Sequence, residues 1–258
     1  MTTIIFDCDG VLADTERDGH LVAFNRTFAE FGLSTRWTED RYRQLLRIGG
    51  GKERLMTLTA PSVPGAGLPA DDALDEEIVR RLHRRKTEIF IELAEAGQMP
   101  PRPGVARTIA AALEAGWAVG VASTSAEASV KAVLRSVVGA QSDRVAVFAG
   151  DMVRAKKPAP DIYLLAVAEL GADPLDTVVV EDSAVGAAAA AAAGLSHLVT
   201  ISTFTAGEDF PAAALVVTTL GDLGVENGAV LINRTLQPVA TPIGLETLQQ
   251  IARQRSSL

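Results

Sequence analysis

The chain has 258 residues, 48% of them hydrophobic, which suits one large domain or one domain carrying a smaller inserted one. With 24 Lys+Arg against 32 Asp+Glu its formal net charge is −8, which argues against a general nucleic-acid binder. A single cysteine excludes an intrachain disulfide and fits a reducing compartment. The first strand pattern begins near residue 3, which leaves no room for a secretory leader. The longest apolar run, 184–195, is mostly Ala and Gly and too short to span a bilayer. We expect a cytoplasmic protein with no membrane or nucleic-acid partner and no required protein partner.

The first strand expected, residues 3–6, runs into Asp7-Cys8-Asp9-Gly10. Successive strand side chains point to opposite faces, so Asp7 and Asp9 share one and Cys8 turns aside. Gly10 lets the backbone leave the strand. Two carboxylates this close repel unless a cation or a shared proton intervenes, and Mg²⁺ prefers such hard oxygen ligands. A solvated acidic turn would read the same way.

From residue 13 the periodicity becomes helical. Leu21, Phe24, Phe28 and Phe31 make one apolar stripe, with Gly32 as its stop. A second helix is expected over 39–48, then a glycine turn at 49–51 and a Pro/Gly-rich loop over 61–69. One long helix is expected over 71–96, with Ile78, Leu82, Ile89 and Leu93 on its buried side. Nothing from 13 to 98 reads as a strand. The basic run 80–86 follows Asp71, Asp72, Asp75, Glu76 and Glu77, which reads as a solvated helix face. A linker is expected at 99–104.

Beyond it apolar runs at 117–122, 145–149, 178–180 and 198–201 alternate with helical segments at 105–115, 126–138, 162–170 and 184–193. This rhythm predicts an α/β fold, a Rossmann-like parallel sheet covered by helices, with the first strand in the same sheet. A helical domain, 13–100, is then inserted into a core made of 1–12 and 101–258. A strand over 215–220 and a short terminal helix through Leu245, Leu248 and Ile251 complete the reading.

Ligands gather at the carboxyl ends of strands in open parallel sheets. Four such ends carry chemistry here. Asp7/Asp9 is one. Ser123-Thr124-Ser125 is the second, offering hydroxyls and amides to a phosphate. Thr124 with Glu127 also fits a capping box, leaving Ser123 for the ligand. Lys157 is third, stiffened by Pro158 and able to act as a point charge on phosphate; a surface lysine is the alternative. Glu181-Asp182-Ser183 is fourth, where carboxylates follow three buried valines and call for compensation, or Asp182 or Ser183 caps a helix.

Together, Asp7-x-Asp9-Gly10, Ser123, Lys157-Pro158 and Glu181-Asp182 resemble the haloacid dehalogenase superfamily of phosphotransferases. Helical insertion after the first motif resembles its cap-type-one branch, which includes β-phosphoglucomutases and phosphoglycolate phosphatases. The run Cys8 to His20, with Gly49-Gly50-Gly51-Lys52-Glu53-Arg54, resembles the CbbY group, which hydrolyses sugar bisphosphates, notably xylulose-1,5-bisphosphate. The resemblance implies a haloacid-dehalogenase-type core with a helical cap after the first strand. It implies Mg²⁺ held by Asp7, the Asp9 carbonyl, Asp182 and Glu181, with Asp7 as nucleophile and Asp9 as acid and base. Ser123 and Lys157 would hold the phosphoryl oxygens. Glu16, His20, Gly51, Lys52, Arg54 and Lys86 of the cap would bind the small sugar phosphate together with Ser123, Thr124 and Lys157. The glycine run is not a P-loop, because Leu46 and Glu53 stand where Gly and Ser or Thr are required. Sugar-phosphate mutase or phosphoglycolate phosphatase activity is the alternative. His83 and His197 read as structural.

Overall fold

Four buried residues, Thr3–Phe6, form β1, the third strand of a seven-stranded sheet. The others are β2 (Ala118–Ala122), β3 (Ala146–Phe148), β4 (Thr177–Glu181), β5 (Ser196–Thr200), β6 (Leu215–Val217) and β7 (Val230–Asn233). Their order is β3-β2-β1-β4-β5-β6-β7. All pairings are parallel except β6 with β7. Ile5 sits beside Gly120 on one side and Val179 on the other. Because both faces of the inner strands are covered, they read as continuous apolar runs rather than alternations. The chain steps outward from β1 to β3, then returns to β4 on the opposite side of β1. That reversal opens a crevice at the carboxyl ends of β1 and β4, where such sheets bind ligands.

The structure, a computed structural model, describes residues 1–48, 50–58 and 76–254. By contacts the chain divides into two units, Met1–Asp14 with Pro100–Leu258, and Thr15–Met99. The sheet unit carries α5 (Val105–Glu114), α6 (Glu127–Val138), α7 (Asp161–Glu169), α8 (Ala184–Ala192) and α9 (Leu245–Arg253). Ile162, Tyr163 and Ala166 of α7 and Ala189 and Ala190 of α8 pack on Ile5, Ala122, Phe148 and Val179. Alanine there lets α8 approach the sheet closely, and the Ser183 hydroxyl caps it by accepting from the Gly186 N–H at 3.1 Å. No helix among the described residues is long and apolar enough to cross a membrane.

The helical unit has a π-helical turn, Glu16–His20, then α1 (Leu21–Glu30), α2 (Glu39–Leu45), α3 (Gly51–Leu55) and α4 (Glu76–Glu95). Phe24, Phe28, Trp37 and Tyr42 make its aromatic core, with centroids 4.7 to 6.2 Å apart. Among the described residues it contains no named strand, and Gly32 takes a positive φ of 69° just after α1.

Several elements differ from expectation. The helix expected over 39–48 stops at Leu45 and gives way to tight turns. On α4, Val79 rather than Ile78 lies on the buried stripe, three residues before Leu82; Ile78 is half-buried at its margin. The loop at 61–69, Gly49 and residues 71–75 lie outside the described residues. The strand expected over 198–201 begins earlier, at Ser196, because Ser196 and His197 are buried despite their polarity. The strand expected over 215–220 ends at Val217. β7 was not anticipated: its four residues are all exposed, so it joins the sheet through backbone alone and carries no burial pattern.

Candidate active site

β1 and β4 place their acids at adjacent carboxyl ends. Asp7 follows β1, and its N–H donates to the Val180 carbonyl at 2.8 Å. Glu181 closes β4, and Asp182 follows it; all three carboxylates are buried. Oxygens of Asp7, Glu181 and Asp182 lie within 4.8 Å of one another. Lys157, reached through the loop after β3, inserts its ammonium between them. It donates to Asp7 Oδ1 and Glu181 Oε1, each at 2.6 Å, and to the Ala122 carbonyl at 3.1 Å. The ammonium also faces the Tyr163 ring, 4.7 Å from its centroid. The Tyr163 hydroxyl donates to Glu181 Oε1, and the Asp182 N–H donates to Oε2 at 3.1 Å.

Burial dominates the electrostatics. It pushes the Asp7 carboxyl up to about 8; Lys157 pulls it down while Glu181 and Asp9 push it further up. Burial likewise lifts Asp182 well above the carboxylate range, with Glu181 and Asp7 adding to it. Burial alone would depress the Lys157 ammonium, yet Asp7 and Glu181 outweigh it and hold its pKa well above the usual value. When ionised, three carboxylates face the one ammonium that bridges two of them. Such an excess of buried negative charge is costly unless a cation balances it. The all-oxygen donor set fits a hard divalent ion such as Mg²⁺. Gly10 leaves room for Asp182: a Cβ there would lie 2.0 Å from Asp182 Oδ2.

Asp9 lies outside that carboxylate group. Its Oδ2 accepts from the Ser125 hydroxyl at 2.6 Å and from Ser123 at 3.3 Å. The Ser123 oxygen in turn accepts the Ser125 N–H at 3.0 Å. Cys8 is buried, and burial, with Asp9 and Asp7 adding to it, pushes its thiol well up. The structure therefore gathers Asp7, Asp9, Ser123, Lys157, Glu181 and Asp182 at one end of the sheet. Thr124 does not join them. It is exposed, and α6 begins at the Ala126 cap without a side-chain bond, so the expected Thr124–Glu127 capping box is absent. Glu127 instead pairs with Lys131 at 2.5 Å, one turn along α6.

Within the helical unit the expected residues fall into separate groups. The Tyr42 hydroxyl donates to Glu16 Oε2 at 2.6 Å and accepts from Arg54 Nη1 at 3.0 Å. Arg54 Nε is fixed on the Ile48 carbonyl at 3.1 Å. Lys86 is buried, 2.8 Å from His20 Nδ1, beneath the Phe24 and Phe90 rings. Gly51 faces His83, whose Nε2 would lie 2.9 Å from a Cβ there. Lys52 is exposed. Around Lys86 the basic run is a solvated face: Arg80 pairs with Glu77, and Arg85 with Glu30, Glu88 and Glu92.

Sequence reasoning passed over Tyr163 and Arg102, and read Ser125 only as one of the hydroxyls offered to a phosphate, not as the partner of Asp9. Tyr163 carried a signal, since a buried tyrosine hydroxyl needs a partner. Arg102 sits in the Pro-rich crossing, where only the fold shows what it touches.

A haloacid dehalogenase-like hydrolase family model matches residues 1–194. The chain is 47% identical over 222 residues to a CBBY-like protein of Arabidopsis thaliana, covering 86% of this chain and 70% of that one. It is 42% identical to CbbY of Cupriavidus necator, covering 86% and 87% respectively. A phosphorylated carbohydrates phosphatase of Thermotoga maritima is 30% identical over 77% of this chain and 84% of its own. A crystal structure of a CbbY variant from Rhodobacter sphaeroides in complex with xylulose-(1,5)bisphosphate superposes with a TM-score of 0.72. That protein is 37% identical over 87% of this chain and 97% of its own. With more than half its length matched by the family model, this chain belongs to the haloacid dehalogenase-like hydrolases and is a phosphatase-type enzyme similar to CbbY.

Proposed function

We propose that the chain is a Mg²⁺-dependent phosphatase acting on a small sugar bisphosphate, xylulose-1,5-bisphosphate, through an aspartyl-phosphate on Asp7. The observation that carries the reading is the buried Asp7–Lys157–Glu181 relay beside Asp182. Likeness to a relative whose structure holds xylulose-(1,5)bisphosphate supports the substrate. Asp7, Glu181 and Asp182, with the Asp9 carbonyl, would hold Mg²⁺. Bound there, Mg²⁺ supplies positive charge to the phosphoryl group and balances the buried carboxylates.

Lys157 fixes Asp7 Oδ1 and so orients the carboxylate for attack on phosphorus. As the phosphorus–oxygen bond to the sugar breaks, Asp9 gives its proton to the leaving oxygen. Asp9 then takes a proton from the water that attacks the aspartyl-phosphate, releasing inorganic phosphate and restoring Asp7. Ser123 and Lys157 donate to the nonbridging oxygens as charge develops. In the helical unit, Glu16, His20, Gly51, Lys52, Arg54 and Lys86 are assigned to the substrate, with Gly51, Lys52 and Arg54 toward its distal phosphate. Within that unit Arg54 is held by the Ile48 carbonyl, the Tyr42 hydroxyl and Glu16.

The test is Mg²⁺-dependent phosphate release across pentulose bisphosphates, phosphoglycolate and hexose phosphates. We expect release to be fastest with xylulose-1,5-bisphosphate and to vanish in Asp7→Asn. Normal hydrolysis by Asp7→Asn overturns the mechanism. Isomer formation without phosphate release, in the presence of a bisphosphate primer, overturns the hydrolase in favour of a mutase.

A further inference from the structure

Arg102 stands between Pro101 and Pro103. Its guanidinium donates four hydrogen bonds, all to backbone carbonyls. Nη1 reaches Gly10 at 2.5 Å and Thr200 at 3.1 Å; Nη2 reaches Ile201 and Thr218, each at 2.6 Å. Its own N–H donates to the Leu12 carbonyl at 2.9 Å. One side chain thus gathers three separate pieces of chain: the turn after Asp9, the end of β5 and the end of β6. A guanidinium is planar and presents its donors in a rigid fork, so acceptors shared by one fork are fixed relative to each other.

The Gly10 carbonyl is the informative partner. Gly10 follows Asp9, has a φ of 80°, and its backbone presses close to the Asp182 carboxylate. A shift of that turn therefore moves Asp9 and its clearance from Asp182 together. Arg107 is an internal comparison. It also gathers backbone carbonyls, those of Leu220, Gly221 and Ile243, but it pairs with Asp222, and its hydrogen bonds go to residues other than those of the Asp9 turn.

We propose that Arg102 is a positioning residue of the active site: by fastening the Gly10 carbonyl to the ends of β5 and β6, it sets where Asp9 stands relative to Asp182. The proposal rests on the phosphatase reading above. An ammonium at this position keeps the charge but cannot reproduce the fork, so Arg102→Lys isolates geometry from charge.

The experiment compares Arg102→Lys and Arg102→Met with Arg107→Lys in the full chain. It measures kcat, KM, the melting temperature and Mg²⁺ affinity by calorimetry. We expect kcat of Arg102→Lys to fall about 10- to 100-fold with KM within about threefold, the usual consequence of misplacing a reacting group. Arg107→Lys should keep kcat within about twofold while losing melting temperature at least as much. A kcat within twofold of wild type in folded Arg102→Lys overturns the proposal, as does an equal loss in Arg107→Lys. If both Arg102 variants fail to fold, the residue is a structural staple and the proposal is wrong. If wild type releases no phosphate from any substrate, the phosphatase reading fails on its own. Arg102 is then judged by calorimetry: weaker Mg²⁺ binding in Arg102→Lys than in Arg107→Lys supports it, and equal binding overturns it.

Discussion

A single ammonium decides the character of this site. Lys157 satisfies one oxygen each of Asp7 and Glu181 from a position that is almost wholly buried. Removing one partner of such a pair strands the other charge, typically at a cost of about 3–5 kcal/mol. Tyr163 works on the same oxygen of Glu181 and roofs the ammonium with its ring. The next residue along from Asp7 shows the opposite design. Cys8 is 1% exposed, and burial, with Asp9 and Asp7 adding to it, pushes its thiol well up. A thiol so placed is neither a thiolate nor within reach of a reagent. We expect a disulfide reagent at pH 8 to leave the native protein unmodified and to label one thiol per chain once guanidinium unfolds it. Rapid native labelling, followed by loss of phosphatase activity, would assign Cys8 to the site that Asp7 and Asp9 share.

The alanine-rich helix α8 shows how an element can invert an ordinary propensity. Glycine inside a helix is worse than alanine by roughly 0.5–1 kcal/mol, so Gly186→Ala should stabilise α8 on propensity alone. Its Cβ, however, would lie 2.0 Å from Glu181 Oε1. Glu181 cannot swing away cheaply, because Lys157, Tyr163 and the Asp182 N–H hold it. Overpacking a fixed group costs about 1–3 kcal/mol, which exceeds the propensity gain. Gly186→Ala should therefore lower both the melting temperature and kcat; a stabilised, fully active variant would mean that Glu181 is loose. The sequence shows α8 as a run of small residues but not what stands beside Gly186, since that neighbour belongs to β4. The same divide runs through the whole fold. β1, β2, β4 and α5 to α8 were readable because burial on both faces leaves a continuous apolar run and burial on one stripe a periodic one. β7 left none, because its side chains are exposed and its bonds are backbone bonds. The acids and Lys157 were legible from their places at strand ends, whereas Arg102 and Tyr163 take their roles from partners about 20 to 120 residues away.

Across the whole molecule, Asp7 in the sheet unit and His83 in the helical unit respond to pH with opposite signs. In the sheet unit, burial raises Asp7 to about 8, above its ordinary value near 3.8. The folded state there binds more protons than the unfolded chain, so without a bound cation this contribution favours acid and is lost as pH rises toward 8. In the helical unit, burial lowers His83 from 6.5 to about 4, with Lys86 and Lys52 adding to the effect. Here the unfolded chain binds the extra proton. The His83 contribution is complete above pH 6.5 and lost as pH falls toward 4. His197, in the sheet unit, is lowered by burial and shares that sign. His83 is only partly buried, so solvent screening reduces the effect to on the order of 1–2 kcal/mol. Replacing His83 by Gln removes the titration while keeping a polar side chain of similar length. Urea midpoints for the two proteins at pH 7.5, 6.5, 5.5 and 4.5 isolate the term, because Asp7 and His197 titrate alike in both. We expect wild type to lose stability relative to His83→Gln between pH 6.5 and 4.5, and the two to run parallel above 6.5. Curves that stay parallel down to pH 4.5 would show that the folded state accepts a proton on His83 freely, and that Gly51 and the residues packed around it leave the ring open to water.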